Sequence, residues 1–203
     1  MELDKFNSLT DLFFYQAKKQ KPEEVFLEWL NITNRKKFTW SETLSNIYRF
    51  SKTLKNYINN GDRVLLVSEN RPEWLLADIS IMLANGITVP AYTTYTENDY
   101  DYLIDDCKPS IVIVSNNAMH KKLESTINKK DYIKKVITFD YISGANYQKK
   151  YIDFSSITKL KLSEEDKIET KSLKRSSPAC IIYTSGTGGN PKGVVLSHGG
   201  ILN

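Results

Sequence analysis

Apolar and polar positions alternate along this chain with periods that change several times, and each change predicts an element. The first clear one starts at Thr39-Trp40-Ser41-Glu42, where a Thr N-cap followed by Glu at the N3 position makes a capping box. Behind it Leu44, Ile47, Leu54 and Ile58 recur at helical spacing, and Asn60-Gly61 predicts the stop. Arg63-Val64-Leu65-Leu66-Val67 reads as a buried strand. A second helix opens at Asn70-Arg71-Pro72-Glu73, with Asn70 as cap, Pro72 tolerated in the first turn and Glu73 at the positive end of the dipole. It runs through Trp74, Leu75, Ile79 and Met82 to Gly86 as terminator. Its apolar residues cover more than one face, which predicts deep burial.

Ile87-Thr88-Val89-Pro90 follows as a short strand, and Thr96-Glu97-Asn98-Asp99 caps a third helix. In that helix Tyr100, Leu103, Ile104 and Cys107 fall at i, i+3, i+4 and i+7. Ile111-Val112-Ile113-Val114 is the next strand, 117–127 a helix, and Val136-Ile137-Thr138-Phe139 another strand. Strands that do not alternate strictly, separated by helices, predict a parallel sheet covered on both faces. The fold class is therefore α/β, a parallel-rich sheet flanked by helices. From 140 to 178 the pattern weakens into a polar, lysine-rich connection with one short helix around 164–173. Two apolar runs, Ala179-Cys180-Ile181-Ile182 and Val194-Val195-Leu196, then bracket a loop.

Composition narrows the class. With 203 residues, 40% hydrophobic and 26% charged, the chain has ordinary globular proportions and can bury a substantial core. The net charge of +4 is mild, and the lysines at 129–135, 149–150 and 159–174 are interleaved with acids, as on solvated faces. No aromatic-plus-basic pattern argues for nucleic acid, while weak contact with an anionic membrane surface stays open. The acidic N-terminal residues Glu2 and Asp4 do not make a secretory signal, and no run approaches the ~18 apolar residues of a span. Cys107 and Cys180 sit within apolar periodicity and read as core residues in a reducing compartment, so the expected location is cytoplasmic. Trp74 and Tyr92 also read as core aromatics. His120 falls in a polar helix and is expected to be exposed. His198 reads as structural, with lining of a substrate site as the alternative.

The chemistry concentrates in Tyr183-Thr184-Ser185-Gly186-Thr187-Gly188-Gly189-Asn190-Pro191-Lys192-Gly193-Val194. A loop of small and hydroxyl residues with one lysine, held between strands, can aim backbone N–H groups, hydroxyls and a cation at one point, as a polyphosphate requires. Known phosphate motifs differ in spacing. A Walker A loop needs Ser or Thr directly after Gly-Lys, and here Gly193 follows Lys192. A dinucleotide fingerprint beginning at Gly186 would need glycine where Pro191 stands, with a helix rather than a strand after it. A plain turn explains Gly188-Gly189-Asn190-Pro191 but not Thr184, Ser185, Thr187 and Lys192 around it.

The stretch resembles the motif of the acyl-adenylate-forming, AMP-binding enzymes, Tyr-Thr-Ser-Gly-Thr-Thr-Gly-x-Pro-Lys-Gly-Val, departing from it only at Gly188, where Thr is usual. Asn70-Arg71-Pro72-Glu73-Trp74, Ala77-Asp78, Gly86 and Val89-Pro90-Ala91-Tyr92-Thr93-Thr94 further resemble the N-terminal region of bacterial long-chain fatty acyl-CoA ligases. Together these segments span 39–203. The resemblance implies that residues 1–203 are the N-terminal portion of the large, adenylation domain. The rest of that domain and the C-terminal lid domain would be missing, leaving a fragment inactive alone. It implies ATP-dependent activation of a long-chain fatty acid to an acyl-adenylate and then to acyl-CoA, with Mg2+ and coenzyme A taking part. On this reading Thr184, Ser185, Gly186, Thr187, Gly188, Gly189 and Lys192 bind ATP, Thr184 also meets the metal, and Lys192 is the catalytic cation. The alternatives are adenylation of an aryl or amino acid, or a non-catalytic nucleotide-binding fragment. The sequence leaves oligomeric state undetermined.

Overall fold

Ser8 lies just before the first apolar turn and accepts a hydrogen bond from the Asp11 backbone N–H at 3.0 Å, which starts α1 (Leu9–Ala17). Among the described residues it is one of four elements ahead of the first predicted helix, after a 3-10 turn at Leu3–Lys5. The computed structural model, which describes residues 2–30, 35–167, 172–184 and 191–203, also shows β1 (Val25–Leu30) paired antiparallel with β2 (Arg35–Thr39). The predicted capping box then opens α2 (Trp40–Lys55). The Glu42 N–H donates to Thr39 Oγ1 at 3.2 Å and the Thr39 N–H donates to Glu42 Oε2 at 2.9 Å. This helix ends at Lys55 rather than at Asn60-Gly61. Ile58, counted as helical from its spacing, lies beyond it and is buried all the same.

The remaining elements follow as β3 (Arg63–Val67), α3 (Pro72–Leu83), β4 (Ile87–Ala91), α4 (Glu97–Cys107), β5 (Ile111–Val114), α5 (Asn117–Lys129), β6 (Lys135–Thr138), β7 (Tyr151–Asp153), α6 (Phe154–Ile157), β8 (Pro178–Thr184), β9 (Lys192–Ser197) and α7 (His198–Leu202). Among the described residues the main sheet has seven strands in the order β7-β6-β5-β3-β4-β8-β9. All neighbours pair parallel except β8 and β9, which pair antiparallel. Val64 and Leu66 point into an apolar cluster with Ile47, Phe50, Leu54, Leu76 and Ile81, while Leu65 and Val67 join Tyr100, Ile104, Leu123 and Ile127 on the other face. Burial on both sides is why these strands read as unbroken apolar runs. No helix among the described residues is long and apolar enough to cross a membrane.

Several local expectations are corrected. Arg71, not Asn70, is the N-cap of α3, and it makes no side-chain capping bond; Pro72 takes the first-turn position as predicted. At the other end Asn85, not Gly86, adopts the left-handed conformation, with φ 60°. Gly86 is required for space, since a Cβ there would lie 2.9 Å from Ile58 Cδ1 and 3.2 Å from Ile81 O. The connection 140–178 carries β7 and α6, which its polar composition hid. Phe154 anchors α6 on α2 through an edge-to-face contact with Phe50 at 5.6 Å. Of the short helix expected over 164–173, a single 3-10 turn, Glu165–Lys167, is present, and residues 168–171 lie outside the described set.

Candidate functional site: the loop mouth and its neighbouring cavity

The two apolar runs around the glycine-rich segment form β8 and β9 as their composition predicts, with Ile182 opposite Val194, Tyr183 opposite Gly193 and Thr184 opposite Lys192. Thr184 and Lys192, the last rung, therefore face each other at the mouth of the loop, and both are exposed. Ser185, Gly186, Thr187, Gly188 and Gly189 lie outside the described residues. The hydroxyl and the ammonium expected to meet phosphate thus start and end the segment side by side.

The mouth lies where ligands bind in open α/β sheets. From β4 the chain returns past β3 to β5, whereas from β8 it leads outward to β9, so the two connections diverge beyond the carboxyl ends of neighbouring strands. A cavity of about 550 Å3 opens there, lined by Ser68, Glu69, Asn70, Trp74, Pro90, Tyr92, Ile182 and others. Its position follows from backbone chemistry. The Ile87 N–H donates to Asp62 O at 2.9 Å, on the β3 side of β4, so by alternation the amides of Thr88 and residue 90 face β8. Thr88 pairs with Cys180, but Pro90 has no N–H to give, and no rung joins it to Ile182. The ladder stops there, and both residues line the opening.

The rim is secured from behind. Arg71 donates from Nε to Glu73 Oε2 and from Nη2 to Asp140 Oδ1, both at 2.9 Å, and its guanidinium lies 5.4 Å and 5.5 Å from the Trp29 and Phe139 rings. Burial lowers its pKa, but the Asp140 and Glu73 carboxylates outweigh that and hold it above its ordinary value. On the β4 side Lys122 Nζ donates to Thr93 O at 2.9 Å and Tyr95 O at 3.1 Å, and the Tyr100 hydroxyl donates to Tyr92 O at 2.7 Å. Glu69 accepts from Asn116 Nδ2 at 3.0 Å. Burial raises its pKa, yet hydrogen bonds and the nearby Arg71 charge leave it below the usual value, so the cavity carries a carboxylate.

Reading Tyr92 as core is corrected, since its ring is 64% exposed at the cavity rim. Trp74 packs against the core and lines the cavity at once. Spacing alone could not separate the two positions, because each is an aromatic next to other apolar residues; Pro90 was the usable signal. His120 is buried rather than exposed and hydrogen-bonds with the Tyr151 hydroxyl at 2.8 Å. His198 is fully buried, and its Nδ1 accepts the Leu9 N–H at 3.2 Å, tying the N-terminus to α7. That is the structural role, away from the cavity lining. Cys107 is buried, Cys180 half-buried, and neither forms a disulfide. For magnesium, the Thr184 hydroxyl is one hard neutral oxygen, and among the described residues no group of three acids, histidines or cysteines adds to it. That donor set fits an ion that arrives on phosphate oxygens and takes one or two protein ligands.

The family model described as AMP-binding enzyme matches residues 13–203. The long-chain-fatty-acid–CoA ligase of Bacillus subtilis (strain 168) is 28% identical over 185 residues, covering 82% of this chain and 33% of that protein. Fatty acyl-CoA synthetase A of Dictyostelium discoideum is 30% identical over 147 residues, covering 70% of this chain and 21% of that protein. The chain thus spans between 21% and 33% of the length of these two relatives. Among solved structures, the anthranilate CoA ligase AuaEII in complex with anthranoyl-AMP superposes with a TM-score of 0.82 at 18% identity, covering 98% of this chain and 36% of that one. The luciferase-like enzyme from the nonluminescent Zophobas morio mealworm gives 0.81 at 20% identity, covering 98% and 44%. Both share the fold.

Proposed function

This chain belongs to the AMP-binding enzyme family, and we propose that it is the N-terminal portion of the adenylation domain of a long-chain fatty acyl-CoA ligase, supplying the loop that holds the polyphosphate of ATP. The observation that carries this reading is the pairing of Thr184 with Lys192 at a loop mouth beside the cavity between β4 and β8. Similarity to fatty acyl-CoA ligases supports the acid, and coverage of 33% of the Bacillus protein supports the reading as one portion of a longer enzyme.

In the proposed reaction a carboxylate oxygen attacks the α-phosphorus of ATP, the bond to the β-phosphate oxygen breaks, and an acyl-adenylate and pyrophosphate form. The thiolate of coenzyme A then attacks the acyl carbon and AMP departs. The first step gathers negative charge on the leaving pyrophosphate. Lys192 sits as a point charge beside it, and the hydroxyls of Thr184, Ser185 and Thr187 and the backbone at Gly186, Gly188 and Gly189 donate to its oxygens. Donors fixed in advance need no reorganisation as that charge develops. Mg2+, when bound with the nucleotide, would neutralise phosphate charge with Thr184 as one ligand. The acid, adenine and thiol contacts come from the remainder of the domain and its lid, so the 203-residue chain binds nucleotide but does not turn over.

The test is titration of the chain with Mg·ATP. Binding is expected, and Lys192→Ala and Thr184→Ala each weaken it about tenfold or more while thermal unfolding is nearly unchanged, since both side chains are exposed. In a full-length ligase the same substitutions would raise the adenylation barrier by about 2.7–4 kcal/mol, read by carboxylate-dependent exchange of pyrophosphate into ATP. A folded chain with no Mg·ATP affinity, or a Lys192→Ala chain that binds as wild type does, refutes the assignment.

A further inference from the structure

The two strands that carry the loop are held by one helix face. Tyr102 and Asp106 are four residues apart on α4 and so project from the same side. The Tyr102 hydroxyl donates to Pro191 O at 3.0 Å, where the chain enters β9. The Tyr183 hydroxyl, at the end of β8, donates to Asp106 Oδ2 in a short hydrogen bond. The Tyr183 ring is buried and lies across Gly193, where a Cβ would come within 3.1 Å of the Tyr183 Cζ. Among the described residues β9 is the outermost strand of the sheet, with β8 on one side and no strand on the other.

The helix itself is firmly mounted. Thr96 and Asp99 close a capping box at its start, and Asp101 accepts from Thr126 of α5 at 3.0 Å. Arg63 Nε donates to Cys107 O at 2.8 Å and Nη2 to Lys108 O at 3.2 Å, fastening the last turn to β3. The Tyr100 hydroxyl, from the same helix, holds the cavity rim at Tyr92.

We propose that α4 is a clamp on the nucleotide loop, with Asp106 and Tyr102 as positioning residues that set the separation and orientation of its two ends without touching the nucleotide. The inference rests on the nucleotide-binding reading of the loop and assigns that site a support outside it. A hydrogen bond to a carboxylate is stronger than a neutral one, which suits a tether that must hold a strand edge. Burial, and after it the Asp106 carboxylate, raise the pKa of the Tyr183 phenol, so it remains a donor throughout the neutral range.

The experiment measures Mg·ATP affinity of the 203-residue chain carrying Asp106→Ala, Tyr183→Phe or both, beside amide hydrogen exchange at Thr184 and Lys192, which pair across the last rung. Each single substitution is expected to weaken affinity about tenfold, and the double substitution no further, because both delete the same bond. Exchange at the two stem amides accelerates, while that of Leu65 and Leu66 in β3 does not. Tyr183→Phe keeps the ring over Gly193, so it carries the test if Asp106→Ala does not fold. Affinity loss without faster stem exchange, faster exchange without affinity loss, or neither change, overturns the clamp. If the wild-type chain itself does not bind Mg·ATP, the nucleotide reading fails, and stem exchange alone decides: acceleration upholds the tether and no acceleration removes it.

Discussion

The two halves of the main sheet are held by different means. On the β3–β5 side, Val64 to Val67 and Ile111 to Val114 have no measurable exposure, because helices cover both faces of those strands. On the β8–β9 side, Val194 and Val195 are 45% and 57% exposed, and the strands depend on their ladder and on a few polar ties from α4. Packing of the first kind sets whether the chain folds. Tethering of the second kind fixes an edge pair through a few bonds and leaves Thr184 and Lys192 exposed. The difference teaches that a sheet edge can be fixed in place without being buried.

The comparison breaks most visibly under Phe50→Ala. Phe50 is fully buried against α6, and its removal is expected to lower stability by about 3–5 kcal/mol in a urea titration. A loss comparable to that of exposed Val195→Ala, within about 0.5 kcal/mol, would show that the buried half is not the source of stability. Gly193→Ala sharpens the contrast with a smaller effect. The new methyl would meet Ile181 Cγ2 at 2.9 Å and the Tyr183 ring, so about 1–3 kcal/mol of stability is expected to go, by the same titration.

The smallest effect is with pH. Burial lowers the pKa of both His120 and His198, only partly opposed by Glu124 and Asp11. The folded state therefore binds fewer protons than the unfolded state once pH falls below about 6.5. Stability is full above that value and is lost as pH falls towards the lowered values. At His198 the proton would have to enter at Nδ1, displacing the Leu9 N–H. The urea midpoint is expected to drop between about pH 7 and pH 5.5, and His120→Gln to flatten part of the slope.

The sequence made the buried half legible and left the edge half less so. Four β-rich runs separated by capped helices announced β3 to β6, because doubly covered strands and capping boxes leave local marks. β7 and α6 left none: Tyr151, Ile152 and Phe154 are a short apolar group in a lysine-rich stretch, placed by the β6 ladder, Phe50, Phe139 and His120. The N-terminal α1 went unassigned for the same reason, its partners in α3 and α7 being distant in sequence; the β1–β2 hairpin went unassigned because Lys36 and Lys37 break the apolar pattern of β2. The loop motif falls where β8 hands over to β9, with Thr184 and Lys192 as the facing residues at its two ends. The cavity walls, Glu69 and Tyr92 among them, and the clamp from Tyr102 and Asp106 depend on contacts between elements, which no local spacing records. His120 shows the limit most simply: polar neighbours along its helix concealed a burial created by Tyr151.

One imino acid in β4 has a broader consequence. The β4–β8 ladder breaks at Pro90 because a main-chain donor is missing there, and the cavity opens beside that break. Residues around it can therefore be exchanged for bulkier, narrower or differently charged ones while the sheet stays unzipped at that point. A recess founded on the backbone in this way lends itself to re-tailoring for new molecules, with the scaffold beneath left as it is.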